Sequence, residues 1–133
     1  MRLRTALAAA PLLALPVAHA AAQPRWKTVG HTADGNPVQV SPKSVKRAGS
    51  TVAATVRVEF LKPKKMPGGN VTSSRTMLTF DCAKRSVAIK ENTYYFDEKA
   101  DKVFQRSVAQ IPGYSPVMGG SMTQVAYDDL CKK

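Results

Sequence analysis

Histidine is almost missing from this chain. Two occur in 133 residues, His19 and His31, and His19 falls in the leader described below, so the mature chain keeps His31 alone. Most imidazole-based catalysis and most histidine metal sites are excluded with it. His31 lies beside an expected hairpin turn, with Asp34 nearby, and reads as a surface residue rather than the centre of a Ser-His-Asp set. Acidic residues are scarce as well, 9 against 20 Lys and Arg. Asp81, Asp97, Glu98, Asp101, Asp128 and Asp129 are scattered, and none forms a pair assignable as general acid and base. No catalytic residue, metal site or cofactor is therefore expected. The chain also lacks an internal repeat, a low-complexity segment and a second hydrophobic unit, which leaves a single domain.

Long apolar runs are limited to the N-terminus. Met1-Arg2-Leu3-Arg4 is basic, Ala6 to Val17 is apolar, and Ala18-His19-Ala20 supplies the small-x-small pattern of a signal-peptidase site. This run is interrupted by Pro11 and Pro16 and falls short of the roughly 20 residues that span a bilayer. Residues 1–20 are expected to be a secretory signal peptide, cut after Ala20 or Ala22, with residues 21–133 as one exported domain and no transmembrane segment in the mature chain. No cysteine stands at the processing site, so a lipid anchor through that residue is excluded. Cleavage after Ala20 leaves 113 residues with 18 basic against 9 acidic, a net charge near +9.

Cysteine is limited to Cys82 and Cys131. In an exported chain of this size they read as a disulfide. The competing reading, two thiols in a metal or redox site, calls for a close CxxC pair or histidine partners, and neither is present. In the chain-entropy picture, closing a loop of this length contributes about 4 kcal/mol.

What is present reads mostly as strand. Trp26 to Gly30 is expected as a first strand with a buried aromatic, Ala33 to Asn36 as a hairpin turn, and Pro37 to Val40 as the return strand. Ser41 with Pro42 fits the start of a single helical turn through Arg47. Val52, Ala54, Val56, Val58 and Phe60 alternate with Thr51, Ala53, Thr55, Arg57 and Glu59, the period of a half-buried strand. Leu61 to Asn70 holds two prolines and two glycines and is expected as a long basic loop. In the next strand Thr76, Leu78, Phe80 and Cys82 share a face. Ser86 to Phe96 and Lys102 to Ala109 are further strands, and Ile111 to Gly120 is irregular. Ser121 with Gln124 forms a capping-box signature, and Met122, Val125, Ala126 and Leu130 make a helical stripe. Asp81 is expected to anchor the turn after it. The fold class is α+β, a single antiparallel sheet of about six strands with one C-terminal helix packed on it; a pure β-sandwich is the alternative.

These pieces, in this order, resemble the bacterial surface-adhesin protein E family. The matching features are the Trp26 strand, Ser-x-x-x-Val-x-Arg at Ser41 to Arg47, the alternating strand Val52 to Phe60, and Phe80-Asp81-Cys82 followed by basic residues. The aromatic strand at Tyr94 to Phe96 and the Ser115-Pro116-Val117 and Gly120-Ser121 approach to a helix ending at Cys131 complete the match. The resemblance covers most of the mature chain and implies a sheet of roughly six strands with one helix, tied between the two matched cysteines. It implies host extracellular-matrix or serum proteins as partners, and members of the fold can form a homodimer. Many members are lipoproteins, and this chain departs from them in lacking the lipid-accepting cysteine. The expected location is the periplasm, the cell surface or the exterior of a Gram-negative bacterium.

The basic surplus points the same way. Lys43, Lys46 and Arg47 precede a strand, Lys62, Lys64 and Lys65 crowd one loop, and Lys84 and Arg85 follow Cys82. Such charge attracts polyanions of the envelope, sulfated glycans or acidic protein segments; no nucleic-acid partner is expected in this compartment. The bland alternative is a solvated positive surface that keeps the protein soluble. Tyr94, Tyr95 and Phe96 cannot all face one side of a strand, so part of the run is exposed or covered by a partner, with two of the three expected under the terminal helix. The candidate binding residues are Lys62, Lys64, Lys65, Lys84, Arg85, Tyr94 and Tyr95. The expected function is that of an exported, non-enzymatic binding protein; the alternative is a structural or assembly component of the envelope with no soluble ligand.

Overall fold

The structure, a computed structural model, describes residues 8–14 and 25–132. The expected cleavage sites after Ala20 and Ala22 lie outside the described residues, and residues 8–14 carry no regular secondary structure. The remainder forms eight strands: β1 (Lys27–His31), β2 (Pro37–Val40), β3 (Lys46–Ala48), β4 (Thr51–Met66), β5 (Gly69–Asp81), β6 (Ser86–Asp97), β7 (Lys102–Val108) and β8 (Tyr114–Pro116). One helix, α1 (Met122–Leu130), closes the chain. All pairings are antiparallel in the order β1-β2-β4-β5-β6-β7, with β3 beside β4 and β8 beside β6.

The α+β architecture is the expected one, with eight strands in place of about six. The two additions, β3 and β8, have three residues each, too short to show any alternation in the sequence. Each exists because a longer neighbour offers an unpaired edge, and Pro116 is tolerated in β8 because an edge strand can lack one N–H.

The period-two segment behaves as its pattern dictates. Val52, Ala54, Val56 and Val58 are buried, and the intervening residues are half-buried. They join Val38, Val40, Leu78, Phe80 and Val87 in one core, closed from above by Ala126 and Leu130 of α1. Gly30 lets the helix approach β1: a Cβ there would lie 2.7 Å from Val125 Cγ1. At its start, Ser121 Oγ accepts from Gln124 N at 3.4 Å, while Gln124 Oε1 accepts from Gly120 N at 2.8 Å. The capping residues are those expected, with the return bond displaced by one residue. At its end, Arg47 Nη1 donates to Leu130 O at 2.7 Å and satisfies an orphan carbonyl.

The covalent tie is present. Cys82, after β5, is bonded to Cys131, just beyond α1, with 5.5 Å between their Cα atoms. Tyr127 reinforces it by donating its hydroxyl to Cys82 O at 2.7 Å and meeting Phe80 edge-on at 5.6 Å. Asp81 Oδ1 accepts from Ala83 N and Lys84 N at 3.1 and 3.2 Å, the turn anchor its position suggested.

Three local expectations need correction. The stretch Leu61 to Asn70 is not a loop: β4 and β5 run through it and meet at a two-residue turn, Pro67-Gly68. Pro63 is accommodated by a bulge between Glu59 and Lys64, where its missing N–H breaks no ladder bond. Trp26 precedes β1 and is half-buried outside the core, stacked against an arginine of the opposite sheet face. The helical turn is confined to Pro42–Ser44, since Lys46 and Arg47 belong to β3, and the Ser41 side chain does not cap it. Ser44 Oγ ties the turn to β4, donating to Ser41 O at 2.6 Å and accepting from Thr55 N at 2.8 Å.

Candidate functional site

The structure divides the seven candidate residues between two ends of the sheet. Lys62, Lys64 and Lys65 are exposed on the far part of β4, beside the Pro67-Gly68 turn. Lys84 and Arg85 occupy the turn after β5, at its other end. Since β5 has 13 residues and a strand rises about 3.3 Å per residue, roughly 40 Å separates the two basic groups.

The hairpin end is held firmly for so exposed a feature. Phe96 and Phe104 meet edge-on at 4.9 Å against the turn, and a Cβ on Gly69 would lie 2.6 Å from Phe96 Cε1. Lys64 Nζ lies 5.8 Å from the ring centroids of both Phe60 and Tyr94, so two aromatic faces orient its charge. Among the described residues, Lys62, Lys64 and Lys65 form no ion pair. At the other end, the Arg85 guanidinium stacks 5.0 Å from the Tyr127 ring centroid, which ties part of its function to packing.

Tyr94 and Tyr95 point to opposite faces. Tyr94 pairs with Ser74 on the helix side, and Tyr95 pairs with Ser73 on the open side. Neither they nor Phe96 enter the core beneath α1, contrary to the expectation for two of the three. The reason is placement: α1 covers β1, β2 and part of β4, while these aromatics lie on β6 near the hairpin.

The open face holds a charge network that the sequence did not reveal. Cross-strand register places Gln39, Arg57, Arg75, Thr93 and Arg106 in one row across β2, β4, β5, β6 and β7. Arg57 and Arg75 are direct neighbours, a destabilising arrangement for like charges. Glu98 resolves it, accepting from Arg57 Nε at 2.7 Å, from Ser73 Oγ at 2.8 Å and from Arg75 Nε. Arg75 also stacks between Trp26 and Tyr95, at 5.2 and 5.7 Å from their centroids. Tyr95 is therefore a half-buried support of this network as well as a candidate contact.

Burial of Glu98 would by itself raise its pKa, but hydrogen bonds from Arg57, Ser73 and Arg75, with the charge of Arg57, hold it below the usual carboxylate value. A carboxylate with a depressed folded pKa stabilises the fold above its unfolded pKa and loses that contribution as pH falls through the folded one. Glu98→Gln is expected to cost about 1–3 kcal/mol at neutral pH. The gap between wild type and variant should close below the usual carboxylate range, as read by urea unfolding at several pH values.

His31 lines a shallow hollow of about 200 Å³ with Asp128, Asp129 and Lys132, while Asp34 lines a different one. The two residues weighed together in the sequence thus sit in separate recesses.

The fold is thus an antiparallel sheet stapled to one helix, with basic residues on its projecting strand ends. The family profile of surface-adhesin protein E matches residues 26–132, and the chain belongs to that family of surface adhesins. Crystal form II of Haemophilus influenzae protein E aligns with 77% of this chain and 85% of its own, at 12% identity and a TM-score of 0.53. The selenomethionine form aligns over 80% and 84% at 11% identity and 0.51. Protein E from non-typeable Haemophilus influenzae aligns over 80% and 74% at 11% identity and 0.52. At such identities the likeness is one of fold. No curated protein sequence matches the chain.

Proposed function

We propose that this chain is an exported, non-enzymatic binding protein that uses the β4–β5 hairpin end to contact acidic surfaces. Those surfaces are segments of host extracellular-matrix or serum proteins, or polyanions of the envelope. The observation that carries this reading is the set Lys62, Lys64 and Lys65, exposed on a braced hairpin without ion-pair partners among the described residues. Family membership supports adhesion as the general role. The leader pattern supports export to the periplasm or surface of a Gram-negative bacterium.

Clustered lysines accelerate encounter and add modestly to affinity, so the interaction should weaken with salt. Replacing Lys62, Lys64 and Lys65 together by Ala is expected to lower affinity for heparin roughly ten- to hundredfold, taking up to about 1 kcal/mol per charge. Elution from a heparin column along a salt gradient reads this directly. Absence of retention of the native protein at low salt would refute the hairpin reading. The outer edge of β7, exposed along most of its length, would let a second copy add a strand and form the homodimer. A dimer that bound no matrix protein or polyanion would favour the envelope-component reading.

A further inference from the structure

The helix-facing side of the sheet changes character along its length. Beneath α1 it presents Val52, Val56, Leu78 and Phe80. Beyond the helix N-terminus the same face carries Ser74, Thr76, Asn92 and Tyr94, which with the apolar Val58, Ile89 and Met122 line a recess of about 310 Å³. Ser74 and Thr76 are only 5% and 2% exposed, so their polar groups lie deep in this recess rather than on open surface. A face that had only to pack would be apolar here, because burying hydroxyls and amides costs free energy unless they find partners. The volume lies at the lower end of the range for small-molecule sites.

The donor and acceptor pattern is specific. Thr76 Oγ1 donates to Asn92 Oδ1 at 2.8 Å, which occupies the amide acceptor and leaves its N–H groups for the recess. Phe60 and Tyr94 contribute aromatic rings, and the exposed Lys64 side chain, whose Nζ lies 5.8 Å from both ring centroids, has to swing aside for a ligand to stack on either ring. Asp34 and Lys64 stand on the lining with opposite charges. That pairing gives the recess no single sign with which to select an ion.

We infer that this recess binds a neutral pyranose unit of a glycan. A pyranose offers an apolar C–H face to an aromatic ring such as Tyr94, and a rim of hydroxyls that both donate and accept. Asn92, Ser74, Asp34 and Lys64 provide the complementary set. The site goes beyond the basic-hairpin reading and requires neither Lys62 nor Lys65.

The test is titration of the ¹⁵N-labelled, oxidised mature domain with methyl α-mannoside, methyl β-galactoside and N-acetylglucosamine, each separately, followed by amide chemical shifts. At least one sugar should give saturable shifts in the millimolar range, confined to the amides around residues 74–76, 92–94 and 120–122. Tyr94→Ala should abolish them, and Lys62→Ala with Lys65→Ala should retain them. The inference is overturned if no sugar gives saturable shifts, if the shifts map elsewhere, or if Tyr94→Ala binds as wild type does. Should that variant not fold, the wild-type map alone decides. Heparin retention is a separate readout, so failure of this site is distinguishable from failure of the hairpin.

Discussion

Reduction of Cys82–Cys131, or its replacement by two serines, is expected to lower the stability of the domain by about 4 kcal/mol, through the unfolded-state freedom that a tie across 49 residues removes. For a domain of this size that corresponds to a fall in Tm of roughly 15–25 °C. The bond joins the last residues of the chain to the end of β5, where the helix otherwise rests on few contacts beyond β1 and β2. Loss of the bond should therefore free α1 first. Hydrogen exchange on the reduced protein is expected to show α1 exchanging ahead of β4 and β5. A reduced protein with an unchanged Tm would show that packing alone holds the helix.

Phe80→Ala is expected to cost about 3–5 kcal/mol, the range for truncating a fully buried aromatic. Phe80 is completely inaccessible and meets Tyr127 edge-on beneath the helix, so truncation empties the junction between β5, α1 and the disulfide. Little nearby can collapse into the space, because the backbone on both sides is covalently tied. Denaturant unfolding of the oxidised variant measures the loss. A cost below about 1 kcal/mol would mean that the helix settles into the cavity.

Both effects were legible in the chain before its structure. Strict alternation from Val52 to Phe60 placed the core face of β4, and the same period placed Leu78, Phe80 and Cys82 together on β5. Ser121 and Gln124 marked the helix start because capping is a local interaction. The strand through Pro63 was not legible: two prolines and two glycines in ten residues suggest a loop, and the bulge that accommodates Pro63 depends on the partner strand.

The strand through Pro63 also sets the geometry of the site. A loop over 61–70 would leave the distance from Lys62, Lys64 and Lys65 to Lys84 and Arg85 open, whereas paired strands fix it. The Glu98 network was hidden for a different reason, since Arg57 and Arg75 lie 41 and 23 positions from Glu98 and meet it only through strand register. The recess beyond the helix N-terminus did leave a signal. Ser74 and Thr76 sit in the sequence on the apolar face of β5, where packing alone would favour larger hydrophobic residues.

Contact through the hairpin end requires that location of the charge, not its amount, sets affinity. Two variants of equal net charge separate the two: Lys62, Lys64 and Lys65 changed together to Ala, and Lys84, Arg85 and Lys132 changed together to Ala. Their binding to immobilised heparin and to matrix proteins, measured side by side at one ionic strength, should differ by at least tenfold, with the hairpin variant the weaker. Equal loss in both would show that bulk positive charge, and no particular end of the sheet, makes the contact.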